Sequence, residues 1–262
     1  MHNFKFRKRI VSLLERGEVF AVAKLILVNG HAPQNPGTSM IVKRNKSIEF
    51  TIGGGPFEAE VIEDALSLIH SEKVIIQKKY KLNIKELGMY CSGEAVVLIE
   101  VLKPPPKLFI FGAGHVGGKL AVISSQLDIF NVFLIDDRKE FLDEDLFSQY
   151  ENLKLIHTDE KWVKGIPEPD KDSFLVVLTR CHGTDKILIK NYICKNYAYL
   201  GMLGSQTKVK KMWKELQSEG VDQESLRKVY APIGLKISAK NPSEISISIL
   251  GEILKIKTTI SS

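Results

Sequence analysis

The chain has 262 residues, with 37 Lys and Arg against 31 Asp and Glu, a formal charge of +6, and 44% hydrophobic residues. That length holds one large domain or two small ones with real cores, which excludes a disordered, collagen-like or coiled-coil chain. The basic opening Lys5, Arg7, Lys8, Arg9 and the run Lys208, Lys210, Lys211, Lys214 are offset by acids elsewhere, so the balance suits an anionic small ligand better than a nucleic-acid groove, which needs a denser basic stripe with interleaved aromatics.

The best membrane candidate, residues 19–28, is ten residues long and broken by Lys24, far short of the roughly 18 apolar residues of a span. After the basic start and apolar residues 10–14 come Glu15, Arg16 and Glu18, where an export signal would continue its apolar stretch. The expectation is a soluble, cytoplasmic protein. Cys91, Cys181 and Cys194 are an odd set without a CxxC pair, neither a disulfide framework nor a structural zinc site, and agree with a reducing compartment.

In chain order, residues 4–14 have helical spacing, 19–28 read as a buried strand, and short strands follow at 40–43 and 48–52. Gly53-Gly54-Gly55 then opens a helix carrying Glu58, Val61, Ile62, Ala65, Leu66 and Ile69 on a 3.6-residue period, and 95–101 is a closing strand. The prolines Pro104, Pro105 and Pro106 lack backbone donors and stiffen a connector. The predicted organisation is a small α+β domain over 1–103, a linker at 104–106 and a second domain over 107–262. In the second, apolar runs at 108–111, 132–135, 153–156, 174–178 and 197–203 alternate with helical or mixed segments, the pattern of an α/β fold with a Rossmann-like, doubly wound parallel sheet.

The first strand of that sheet runs into Gly112-Ala113-Gly114-His115-Val116-Gly117. In a strand-to-helix context, Gly112 allows the tight turn, Gly114 lets backbone approach a phosphate, and Gly117 permits close helix packing. The next strand ends in Asp136-Asp137, where an acid would accept from a ribose hydroxyl, so a dinucleotide in this crevice is expected to be NAD-like. The fourth strand leads into Thr179-Arg180-Cys181-His182-Gly183-Thr184-Asp185 and the fifth into Gly204-Ser205-Gln206. Ligands of open parallel sheets bind beyond the carboxyl ends of the strands, so these segments should share one crevice.

Each residue also has a plainer reading. His115 can be a first-turn residue facing water, Arg180 a surface ion pair, and His182 with Asp185 a local helix cap; Ser205 can be an N-cap. Cys181 and Cys194 read as packed or incidental thiols, and the lysines after Ser205 as a solvated helix face. In the first domain, Gly53-Gly54-Gly55-Pro56-Phe57-Glu58 can present amides to an anion or be only a tight turn, and Cys91 before the closing strand can be a soft ligand or a structural thiol.

Taken together, Gly53 to Glu58, Cys91-Ser92-Gly93, the glycine turn, Asp136-Asp137-Arg138, Tyr199-Leu200-Gly201-Met202-Leu203-Gly204-Ser205, Ala231-Pro232-Ile233-Gly234-Leu235 and Asn241-Pro242-Ser243-Glu244-Ile245 resemble the XdhC/CoxI family. The resemblance implies an accessory protein that binds molybdenum cofactor, protects it while a cysteine desulfurase supplies sulfur, and delivers it to a xanthine dehydrogenase-type molybdenum hydroxylase. It is expected to act as a cofactor chaperone with little turnover, and a homodimer is compatible with it. If the first domain closes over the crevice, Cys91 would reach the molybdenum. The chain departs from the family pattern at Gly30-His31-Ala32-Pro33-Gln34, where Gly-Ser-x-Pro-Arg is usual, and at Arg180 and Cys181, where His and Asp are frequent; His182 and Asp185 match. The competing reading is an NAD-dependent oxidoreductase that uses the same crevice, with His182 and Asp185 as proton donors.

Overall fold

Alternating burial along the first strand sets the architecture of the amino-terminal half. Ala21, Ala23 and Leu25 of β1 (Phe20–Gly30) point to one face, with Met40 and Val42 of β2 (Ser39–Lys43). There they bury Phe57, Val61 and Ala65 of α2 (Gly55–Ile69). The period of two turns Phe20 and Ile41 to the opposite face, which packs on Leu13 of α1 (His2–Glu15). β3 (Ile48–Phe50), β4 (Ile75–Leu82) and β5 (Gly93–Leu102) complete an antiparallel sheet in the order β3-β2-β1-β5-β4. The computed structural model describes residues 2–82 and 93–261, and the chain divides into two compact units, Met1–Pro104 and Pro105–Ser262.

The second unit is parallel throughout. β6 (Lys107–Phe111), β7 (Asn131–Asp136), β8 (Leu153–His157), β9 (Phe174–Val177) and β10 (Tyr199–Met202) lie in the order β10-β9-β6-β7-β8. Along β6, Leu108 and Ile110 face one helical layer and Phe109 and Phe111 the other, so the sheet is covered on both sides, as an all-parallel sheet requires. The first layer holds α3 (His115–Gln126) and α8 (Pro242–Ser261), the latter through Ile249, Leu250 and Ile253. The second holds α5 (His182–Tyr192), α6 (Gln206–Ser218) and α7 (Gln223–Arg227), while a short α4 (Glu144–Phe147) links β7 to β8. This is the Rossmann-like α/β sheet expected from the strand and helix alternation. Among the described residues no helix is long and apolar enough to cross a membrane.

β4, α8 and the short α7 were not among the predicted elements. β4 is an edge strand whose Lys78, Lys79 and Lys81 interrupt the apolar alternation; such lysines are what an edge strand carries against unwanted pairing. α8 carries apolar residues at helical spacing but starts inside a segment read only as a motif. Its start is capped by Asn241, whose Oδ1 accepts from the Glu244 amide at 3.0 Å, while Glu244 Oε2 accepts from the amide of Lys240, just before the cap, at 2.7 Å.

Candidate functional site

The turn leaving β6 has the three glycine environments that its sequence asks for. Gly112 has φ 109°, and a Cβ there would stand 2.5 Å from the Leu178 carbonyl oxygen at the end of β9. At Gly117 a Cβ would stand 1.8 Å from the Gly112 carbonyl oxygen, so the first turn of α3 lies directly on the loop. Gly114, by contrast, has an ordinary extended backbone (φ −64°, ψ −171°) and open space where its Cβ would be. Two glycines thus serve the backbone, and the third leaves room for a ligand atom beside the α3 amides. His115, the first residue of α3, is exposed.

β6 and β9 are neighbours from which the chain departs toward opposite sides of the sheet, so the 112–114 turn lies at the topological switch point. The loops after β6, β7, β9 and β10 carry Gly112, Gly114 and His115; Asp136 and Asp137; Arg180, Cys181, His182 and Asp185; and Gly204 and Ser205. They share the carboxyl end of one sheet. One ion pair ties two of these loops together across β6: Arg180 Nη2 stands 3.5 Å from Asp137 Oδ2.

Asp136 does not present itself to a ribose. Its side chain is 1% exposed, Oδ2 accepts from the Ala113 amide at 2.7 Å, and Oδ1 accepts from the Arg138 amide at 3.0 Å and from Arg138 Nε at 2.9 Å. Burial alone would raise this carboxyl, but the Arg138 guanidinium and the two amides outweigh it and hold it below its ordinary value. Its role in the structure is to pin the glycine turn to β7. The reading as a ribose acceptor is thereby corrected, because both oxygens are already occupied.

Asp185 differs, because a single oxygen, Oδ1, takes both of its bonds. It does not cap its own helix but reaches back to the end of β9, accepting from the Thr179 amide at 3.1 Å and the Thr179 hydroxyl at 2.6 Å. Burial raises its carboxyl above the usual range, with the two Thr179 bonds acting against that rise. Arg180 makes the ion pair of its plainer reading, yet 59% of its side chain remains exposed. His182 Nε2 stands 3.8 Å from Glu215 Oε2 of α6. Cys181 and Cys194, expected as packed or incidental thiols, are both exposed; the Thr184 and Gly183 amides and the Thr184 hydroxyl face the Cys181 thiol and lower it. Ser205 is the N-cap of α6, accepting from the Lys208 amide at 3.3 Å, and Gly204 beside it has room for a side chain in ordinary contact with Val209.

In the amino-terminal unit, the Gly53 to Glu58 segment is organised around its own carboxylate. Glu58 Oε2 accepts from the amides of Ile52 at 3.0 Å and Gly54 at 3.1 Å, and from the Thr51 hydroxyl. The Gly53 amide goes to Thr51 Oγ1 at 3.0 Å. Of the amides read as donors to an anion, those of Gly53 and Gly54 are therefore taken within the turn, around a negative charge that would repel one. Gly53, Gly54 and Gly55 all have positive φ, as a tight turn demands. A Cβ at Gly53 would meet Pro33, and one at Gly93 would stand 2.5 Å from the His31 carbonyl oxygen, so the 30–34 loop, the triple glycine and the start of β5 lie together at one end of this sheet. Cys91 lies outside the described residues.

Sequence reasoning missed a second buried network in the Rossmann-like unit. The Tyr199 hydroxyl donates to Glu252 Oε2 at 2.5 Å, and the Gly234 amide donates to the same oxygen at 3.0 Å. This joins β10, the 231–235 motif and α8, so the motifs at 199–205, 231–235 and 241–245 are first of all the device that docks the last helix. The signal was the polar Tyr199 and Glu252 within otherwise apolar runs. A concavity of about 360 Å³, lined by Ser125, Asp128, Asn131 and Asn152 among others, lies at the amino ends of β7 and β8 and holds none of the predicted site residues. Among the described residues no group of three or more His, Cys, Asp or Glu is placed to hold a metal ion.

Comparison with known proteins gives two family matches, the XdhC Rossmann domain over residues 108–253 and the XdhC and CoxI family over residues 13–78. The chain is 31% identical over 249 residues, 94% of its length and 45% of the relative's, to the uncharacterised protein YqeB of Escherichia coli K12. It is 28% identical over 171 residues to a probable xanthine dehydrogenase subunit of Bacillus subtilis, covering 63% of this chain and 47% of that one. The chain spans about half the length of these curated relatives. A crystal structure described as a xanthine dehydrogenase from Bacillus halodurans superposes with a TM-score of 0.52 at 18% identity, over 95% of this chain and 96% of that one, and shares the fold.

Proposed function

Because the chain belongs to the XdhC and CoxI family, we propose that it is an accessory protein of a xanthine dehydrogenase-type molybdenum hydroxylase, holding molybdenum cofactor in the Rossmann-like crevice and handing it to the apo-hydroxylase after a cysteine desulfurase has supplied sulfur. The observation that carries this reading is the open space at Gly114, at the switch point of a parallel sheet. The cofactor is a pterin with a dithiolene and a phosphate; when bound it supplies molybdenum, whose redox and oxygen-transfer chemistry belongs to the recipient hydroxylase.

The residues present fit such a group at its phosphate end. The turn at 112–114 and the amides opening α3 would take the phosphate, and Arg180 and His115, both exposed at the same rim, would add charge or donors. The exposed Cys181 thiol, lowered by neighbouring donors, is a soft group within the rim that suits molybdenum or sulfur better than a hard oxygen donor would. Cys91 is the corresponding candidate in the amino-terminal unit. The NAD-dependent oxidoreductase reading is less well supported, since it calls for a free acid at the end of β7 and Asp136 is fully engaged.

The test is reconstitution. Purified protein, molybdenum cofactor and an apo-hydroxylase are mixed, and activation is compared with and without this chain; faster and fuller activation is expected with it. Equal activation in both tubes, or robust NAD-linked oxidation by the protein alone, rejects the accessory reading.

A further inference from the structure

Two arginines stand at the rim of the crevice, and the structure treats them differently. Arg138 is locked: Nε and Nη2 donate to Asp136 at 2.9 and 3.2 Å, and its guanidinium lies 3.8 Å from the centre of the Phe141 ring. Arg180 is held, among the described residues, by Asp137 alone, at 3.5 Å, with most of its side chain in solvent. Asp137 in turn stands 3.8 Å from Arg138. Both separations are ion-pair contacts longer than a good hydrogen bond, so Arg180 keeps its donors available. In the strand order β9-β6-β7, Arg180 and Asp137 flank the strand from which the glycine turn leaves.

We propose that Arg180 is the phosphate-recognition residue of the crevice, parked on Asp137 until a ligand displaces it, so that the crevice reads its ligand by a phosphate group and not by a ribose diol. A phosphate beside Gly114 offers the guanidinium two oxygens in the fork geometry it prefers, a better partner than a carboxylate 3.5 Å away. Asp137 is then a built-in competitor, and this second acid at the end of β7 is already answered by two guanidinium groups. The inference deepens the reading of the crevice given above and rests on its placing the ligand phosphate at the 112–114 turn. The shared chemistry is a phosphate ester or anhydride, whether carried by a pterin or by a dinucleotide.

The full chain is titrated with inorganic pyrophosphate at low ionic strength by calorimetry, alongside Arg180→Gln, Arg180→Lys and Asp137→Asn, with ADP-ribose as the probe carrying a diol. Wild type binds pyrophosphate. Arg180→Gln is expected to bind about tenfold more weakly, Arg180→Lys to recover only part of the loss, and Asp137→Asn to bind several-fold more tightly. The opposite signs are the discriminating result, because a pair with a purely structural role would move both variants the same way. Weaker or unchanged binding in Asp137→Asn, no binding by wild type, or ADP-ribose binding about tenfold more tightly than pyrophosphate overturns the proposal. Failed reconstitution with intact pyrophosphate binding would remove the molybdenum reading and leave the phosphate role of Arg180 standing.

Discussion

Gly117 and Gly114 are three residues apart, yet one methyl group at each has opposite consequences. At Gly117 it collides with a backbone carbonyl that has nowhere to go, so Gly117→Ala is expected to cost about 3 kcal/mol of stability, read as a lowered urea midpoint. At Gly114 it enters open space on a backbone that any residue adopts; Gly114→Ala should keep the wild-type melting temperature and lose phosphate or cofactor binding. Unchanged binding would show that this space is not used. Asp185 yields a pH-dependent prediction. Its folded value is raised, so the protonated form suits the fold and the ionised form weakens it as pH climbs past the ordinary carboxyl range. Asp185→Asn keeps an oxygen for Thr179 without the charge and should melt higher than wild type at about pH 7, with the gain shrinking toward about pH 4. If the two proteins melt alike at neutral pH, burial of that charge costs the fold nothing.

At the scale of elements, α8 is fastened less by helix propensity than by one carboxylate. Glu252→Ala leaves the buried Tyr199 hydroxyl and the Gly234 amide without their acceptor and should cost about 2–3 kcal/mol, whereas Tyr199→Phe, which removes one donor and leaves Glu252 on Gly234, should cost about 1 kcal/mol. The double variant should fall short of the sum, and simple additivity would mean the network carries no coupling. The same elements show what a sequence discloses. β1, β2 and the five parallel strands were legible from their apolar runs, which are continuously buried in β2, β7, β9 and β10 and alternate in the first half of β1. β4 was not, because an edge strand is half solvent and its lysines mask the period; α8 was overlooked because its start was read only as a family motif and not as a helix cap. The backbone roles of Gly112 and Gly117 were legible from their spacing between a strand and a helix. The inward turn of Asp136 and the engagement of Glu58 were not, since whether a carboxylate faces a ligand or its own backbone depends on contacts 23 and 4–7 residues away.

For the molecule as a whole, acid is the natural weak point. Glu49 is held at about 2 by the Arg9 guanidinium, with Lys43 adding to it against a smaller effect of burial. A depressed carboxyl lends stability that is complete above its unfolded value near 4.5 and drains away as pH falls through about 2. Asp136 and Asp170 are lowered as well, in the other unit. Glu49→Gln should therefore lower the melting temperature at about pH 7 and flatten its decline between pH 4.5 and about 2; a wild-type slope in that window would place the acid sensitivity elsewhere. Trp162 is 3% exposed, sits in the left-handed region at φ 57°, and packs 6.4 Å from the ring of Phe111, the residue that precedes the glycine turn. Trp213 on α6 is only partly buried. The chain thus carries its own optical gauge: iodide should quench Trp213 and spare Trp162, and in Trp213→Phe the remaining blue emission would register whatever enters the crevice, without any label.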